Sequence, residues 1–167
     1  MNYYLLLGGN MGDVDTSMSL AISRIAEAGR ILAVSSVVES PPWGFSAPEP
    51  FHNAVVRLSS DVGPFALLSF IKHLEIELGR KPKRVEGEYE SRPIDIDILF
   101  CDSQLVNTEV LQIPHPRLHL RRFTLVPLAE VAPGFVHPVL GKTVAEMLAD
   151  TDDESDVRIV GRLSVSQ

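Results

Sequence analysis

Cysteine is nearly absent: Cys101 is the only one in 167 residues. This excludes an intramolecular disulfide and a zinc site built from several thiolates, and it fits a reducing compartment. No apolar run approaches the ~18 residues that would span a bilayer, and Met1-Asn2 leads into Tyr3-Tyr4-Leu5-Leu6-Leu7 without a basic leader. A soluble cytoplasmic protein with no membrane partner is expected. Basic charge is also short, since 15 Lys and Arg against 22 Asp and Glu leave a net charge of −7. Domains that neutralise a nucleic-acid backbone are usually basic overall, so no nucleic-acid partner is expected, although a local basic patch stays open. Complete nucleotide motifs are missing too. Gly8-Gly9-Asn10-Met11-Gly12 lacks the G-x-G-x-x-G spacing, and Gly141-Lys142-Thr143 has Val136 where a P-loop requires Gly.

What is present is ordinary globular material, 45% hydrophobic and 22% charged, in a length that suits one domain. Tyr3 to Leu7 reads as a buried strand stopped by a turn at Gly8-Gly9. Val14, Met18, Ala21, Ile22 and Ile25 form a helical stripe ending near Gly29. Residues 31 to 38 read as a second strand and 51 to 59 as a third. Pro64 opens a second helix that closes at Gly79, and 94 to 100 form a fourth strand. This β-α-β-β-α-β order predicts an α+β fold with a ferredoxin-like core: a mostly antiparallel sheet with its helices on one face. Weaker signals beyond residue 101 suggest a hairpin around 105 to 111 and short helices near 122 to 130 and 144 to 149. The acidic stretch 150 to 156 reads as a solvated loop. The links 40 to 50 and 80 to 92 each exceed the usual ~4 to 6 residues, which makes both candidate substrate loops.

Asp95-Ile96-Asp97 inside an apolar strand is the strongest chemical signal. Residues i and i+2 share a strand face, so the two carboxylates sit side by side while Ile94, Ile96 and Ile98 pack on the other face. Two such anions call for a cation, and magnesium is commonly held by one or two carboxylates with substrate phosphates and water. The alternative is a solvated strand face, although Asp is disfavoured in strands. Arg80, Lys81, Lys83, Arg84, Arg92, Arg117, Arg121 and Arg122 bracket the pair and supply the charges that phosphoryl transfer uses. Part of that run, with Glu86, Glu88 and Glu90, is equally readable as a charged loop. His115 and His119 do not suit zinc, because prolines flank His115 and no His-Glu-x-x-His pattern exists. Trp43, Phe51 and Phe123, with the amide of Asn53, would suit a flat heteroaromatic ligand or simply the core.

Taken in order, several segments resemble the 6-hydroxymethyl-7,8-dihydropterin pyrophosphokinases of folate biosynthesis. They are Leu7-Gly8-Gly9-Asn10, Ser40-Pro41-Pro42-Trp43-Gly44, Phe51-His52-Asn53, Arg92-Pro93-Ile94-Asp95-Ile96-Asp97, Pro114-His115-Pro116-Arg117 and Arg121-Arg122-Phe123 through Pro127-Leu128, and the likeness runs from residue 3 to about 133. The resemblance implies transfer of diphosphate from ATP to the hydroxymethyl oxygen of the dihydropterin, releasing AMP, in a single domain that closes flexible loops over its substrates. It implies two magnesium ions on Asp95 and Asp97, and Arg80, Arg92 and Asp97 as catalytic residues. Glu75, Arg80, Arg92, Ile98, His115 and Arg121 are implied on the ATP side. Ser40, Pro41, Trp43, Phe51, Asn53, Tyr89 and Phe123 are implied around the pterin. No dedicated base stands out; a hydroxymethyl group lowered in pKa beside Asp97 is the expected nucleophile. Tyr89-Glu90-Ser91 departs from the family's Trp-Gly-Pro, and Gly9, Phe51 and Lys72 replace common Ser, Tyr and Gln. The competing readings are a ferredoxin-like binding module without catalysis and a magnesium-dependent phosphohydrolase. A monomer or homodimer is expected.

Overall fold

The computed structural model describes residues 1–41, 49–79 and 94–164. Its elements are, in chain order, β1 (Asn2–Gly9), α1 (Val14–Ile25), β2 (Arg30–Val34), β3 (Val37–Ser40), β4 (Phe51–Ser59), α2 (Pro64–Glu77), β5 (Asp95–Cys101), β6 (Val106–Asn107), β7 (Gln112–Ile113), a 3-10 turn (Leu118–Leu120), α3 (Arg122–Val131), α4 (Val144–Asp150) and β8 (Arg158–Gly161). β1 pairs antiparallel with β4 on one side and β5 on the other. β2 and β3 follow one another along β4, and β8 pairs with β3, so the sheet order is β5-β1-β4-β3-β8 with β2 also on β4. The architecture is α+β with an antiparallel sheet. No helix among the described residues is long and apolar enough to cross a membrane.

Alternation along β1 divides the core in two. Tyr3, Leu5 and Leu7 pack with α1 and α2, while Tyr4 and Leu6 pack with Leu125 and Leu128 of α3 and with Val144 and Met147 of α4. The two long helices, α1 and α2, thus share one face, as expected for the core. The short α3 and α4 cover the opposite face, because a central strand that is apolar on both sides must have both sides buried. α1 starts where Asp13 accepts from the Thr16 N–H at 3.1 Å, an N-cap that satisfies an otherwise orphan donor. α2 starts at Pro64 and ends before Gly79, whose φ of 106° lies in the left-handed region.

Three local expectations are corrected. β1 does not stop at Gly8-Gly9 but runs through Gly9, and the turn comes at Gly12, with φ 70°. The second predicted strand is two, broken at Ser35-Ser36. There Ser35 exchanges bonds with Val55, and the Ser36 N–H and hydroxyl both donate to Glu130 of α3. The acidic stretch 150 to 156 is not merely solvated: Asp153 Oδ2 accepts the Arg122 N–H at 2.8 Å, and the Ser155 carbonyl accepts Arg122 Nε at 3.2 Å. Beyond it lies β8, exposed along its whole length and so without a burial pattern to announce it.

Candidate active site

Asp95 and Asp97 lie at the open end of β5, an edge strand, each partly exposed. Their cross-strand partners on β1 are Gly8 and Leu6, which puts both carboxylates on the face covered by α3, while Ile94, Ile96 and Ile98 are buried against α1 and α2. A third carboxylate comes from α2. Glu75 is buried, and its Oε2 accepts the N–H of Ile96 at 2.8 Å, satisfying a backbone donor on the outer edge of β5. Lys72 Nζ lies 3.5 Å from Glu75 Oε1.

The crowding shifts the pKa values of these groups. Burial raises the Glu75 carboxyl above its usual range, against the pull of the Ile96 N–H. Burial, followed by the charges of Asp95 and Glu75, lifts Asp97 to about 7, and Lys72 and Arg121 only partly oppose this. These are hard oxygen donors with a surplus of negative charge, a set that fits magnesium. Among the described residues no group of three or more His, Cys, Asp or Glu side chains is arranged to hold an ion. A cation on Asp95 and Asp97 would complete its shell with phosphate oxygens and water, as magnesium commonly does.

One irregularity of β5 ties a second segment to this pair. The register with β1 jumps from Ile98 to Phe100, leaving Leu99 without a cross-strand partner. The Leu99 carbonyl instead accepts the N–H of His115 at 3.0 Å, which hitches the Pro114-His115-Pro116 turn to the strand of the Asp pair. His115 Nδ1 accepts the Arg117 N–H at 3.2 Å. Burial first, then the nearby Arg121 and Arg117, pushes the ring down to about 4, so at neutral pH it is uncharged with Nε2 as its donor. Arg121 precedes α3, and its guanidinium lies 5.5 Å from the Phe123 ring centroid, within cation–π range. The start of α3, which carries both residues, is the point that Asp153 caps.

Across β1 lies the other cluster. Asn53 on β4 faces Gly8 of β1 and Val38 of β3, and the next pair along, Phe51 with Ser40, lies at the same end of the sheet. Asn53 and Ser40 are buried, Phe51 is half-buried and Pro41 is exposed. Asn53 Nδ2 donates to the Leu7 carbonyl at 3.3 Å. Beside it His52 bridges two carboxylates, with Nδ1 2.8 Å from Asp15 of α1 and Nε2 3.1 Å from Glu39 of β3. Burial works to lower the His52 pKa, but these two partners outweigh it and hold the ring above its usual value.

The profile of the 7,8-dihydro-6-hydroxymethylpterin-pyrophosphokinase family matches residues 4–133. The chain belongs to this family. A Porphyromonas gingivalis protein named 2-amino-4-hydroxy-6-hydroxymethyldihydropteridine pyrophosphokinase is 43% identical over 137 residues, which span 81% of this chain and 92% of that one. A protein of the same name from Aquifex aeolicus is 38% identical over 143 residues, 86% of this chain and 88% of its own. In fold, the chain is similar to a Plasmodium falciparum HPPK-DHPS triple mutant. The TM-score is 0.72 at 16% identity, over 89% of this chain and 42% of that longer one.

The structure thus gathers Glu75, Asp95, Asp97, His115 and Arg121 around the end of β5, with Asn53 and Phe51 two strands away on β4 and Ser40 three strands away on β3. The Ile98 side chain is in the core, so only its backbone is left to meet a ligand. Trp43, Arg80, Tyr89 and Arg92 lie outside the described residues. Sequence reasoning placed Gly8 in a turn rather than in β1 and missed His52 and Asp153. A glycine inside an aliphatic strand was the available signal for the first, whereas partners far along the chain hid the other two.

Proposed function

We propose that this chain transfers the terminal diphosphate of ATP to the hydroxymethyl oxygen of 6-hydroxymethyl-7,8-dihydropterin, giving the pterin diphosphate and AMP for folate biosynthesis. The observation that carries this reading is the row Asp95, Gly8, Asn53 across three adjacent strands. It sets an acidic pair suited to magnesium-bound phosphates beside a buried amide suited to a heterocycle edge. A split βαβ, ferredoxin-like core agrees with the order β5-β1-β4 with β2 and β3 against β4. Asp95 and Asp97 would hold two magnesium ions, which would neutralise charge on the transferring group.

In the reaction the hydroxymethyl oxygen bonds to the β-phosphorus, the bond to the α,β-bridging oxygen breaks, and AMP leaves with that electron pair. The hydroxyl proton passes to solvent. Arg80, Arg92 and Arg121 are the cations for the polyphosphate, and neutral His115 offers Nε2–H to it without adding charge. Glu75 holds the Asp strand through the Ile96 N–H and lies on the nucleotide side. Asn53 reads the pterin edge near Ser40 and Pro41. Phe123 stacks on the pterin ring with Phe51 on the same side of the site, and Trp43 and Tyr89 are the further aromatic residues assigned to the pterin.

One assay tests this. The protein, ATP, magnesium and the hydroxymethyldihydropterin are incubated together and the products separated. AMP with diphosphorylated pterin in equal amounts is expected. ADP, inorganic phosphate, or AMP formed without pterin would each reject the reading.

A further inference from the structure

Gly8 sits where the two halves of the site meet. Its cross-strand partners are Asp95 on β5 and Asn53 on β4, and directly opposed residues project from the same face of a sheet. With neighbouring strands about 4.8 Å apart, the carboxylate and the amide rise from backbones about 10 Å apart, with Gly8 as the floor between them. Backbone conformation does not demand glycine here, since its φ is not among the positive values, which fall at Gly12, Gly79 and Gly141. Space does. A β-carbon on Gly8 would lie 2.0 Å from Asn53 Nδ2, 2.9 Å from its Cγ and 3.0 Å from the His52 carbonyl oxygen. Asn53 is buried and its amide already donates to the Leu7 carbonyl, so neither the amide nor the β4 backbone can give way cheaply. Glycine inside a strand costs conformational entropy and packs nothing; the amide lying over it is what the missing side chain makes possible.

We propose that Gly8 is a positioning residue for recognition of the pterin. By leaving the floor open it lets the Asn53 amide lie back on the Leu7 carbonyl. One amide hydrogen is engaged there, which leaves the second hydrogen and Oδ1 for the edge of the heterocycle. Any side chain at residue 8 turns the amide off the Leu7 carbonyl and fills the space beside Asp95. The inference rests on the assignment of Asn53 to the pterin.

Gly8→Ala, Asn53→Ala and the double variant are compared with the wild type in pterin KM, in affinity for a nonhydrolysable magnesium–ATP analogue, and in melting temperature. Each single variant is expected to raise the pterin KM about tenfold, the equivalent of one lost hydrogen bond, with nucleotide affinity nearly unchanged. In the double variant the amide contacts are gone and only the 3.0 Å approach to the His52 carbonyl oxygen is left, so adding Gly8→Ala to Asn53→Ala leaves KM unchanged and lowers the melting temperature far less than Gly8→Ala does alone. A Gly8→Ala protein with wild-type pterin KM, a double variant in which the two losses multiply, or an equal loss of nucleotide affinity overturns the role of Gly8. Should Gly8→Ala alone not fold, a double variant that folds and behaves as Asn53→Ala supports the inference, and one that also fails to fold overturns it. An unchanged KM in Asn53→Ala removes the assignment on which the inference rests. Absence of pterin diphosphate with the wild type rejects the proposed function itself.

Discussion

Asp97→Asn is expected to raise the melting temperature of the metal-free protein while abolishing diphosphate transfer. Burial and the neighbouring Asp95 and Glu75 lift the Asp97 carboxyl from the usual 3.8 to about 7. A carboxyl raised on folding binds more protons folded than unfolded, so stability falls as pH rises from the unfolded value to the folded one. Above both values the full displacement corresponds to about 4 kcal/mol against the fold. Asp97 is only partly covered, and water on its open side screens much of this, leaving roughly 1 to 2 kcal/mol for Asn to recover. For a domain of this size that is about 2 to 8 °C. Scanning calorimetry in EDTA reads it directly. The variant should melt above the wild type near pH 8, and the gap should narrow toward about pH 5 as the wild-type carboxyl protonates. Excess magnesium should raise the wild type and do little for the variant. A variant that melts at or below the wild type in EDTA near pH 8, or a gap that widens toward acid, would refute the reasoning.

Three further outcomes follow from contacts outside the Asp pair. Asp153→Ala removes the acceptor of the Arg122 N–H and should cost about 1 kcal/mol, a typical N-cap loss, seen as a drop of about 2 to 4 °C in melting temperature. Burial alone would raise the Asp153 pKa, but the bonds from Ser155 and Arg122 outweigh it and hold it low. Its contribution is therefore present above the ordinary carboxylate range and lost as pH falls through the depressed value, which acid titration of the two proteins will show. His52 has a raised pKa, so its contribution has the opposite sign: full below the unfolded histidine value and lost as pH rises through the folded one. His52→Gln should lower the melting temperature at about pH 6 and leave it unchanged at about pH 9. Glu130→Ala leaves the Ser36 N–H and hydroxyl without their acceptor and should cost about 1 to 3 kcal/mol in urea unfolding.

Much of the frame was legible because its signals are local. The stripe Val14, Met18, Ala21, Ile22, Ile25 is buried as spaced, and the third strand and second helix start where Phe51 and Pro64 place them. Asp95 and Asp97 share a face because a strand repeats every two residues. The misreadings have non-local causes. The break at Ser35-Ser36 depends on Glu130, 94 residues away. β8 buries little and carries no alternation, and the reach of Asp153 to α3 crosses 31 residues.

The sequence by itself determined the chemistry available: two carboxylates on one strand face, a histidine held between prolines, an amide behind an aromatic, and the periodicities that make strands and helices of the segments carrying them. Which of these groups meet was decided by the tertiary structure. Antiparallel register is what sets Asp95 and Asn53 on either side of Gly8, and a bulge at Leu99 is what hitches His115 to the Asp strand. Register and bulges arise from packing both faces of β1 at once, a condition on the whole chain that no single segment contains.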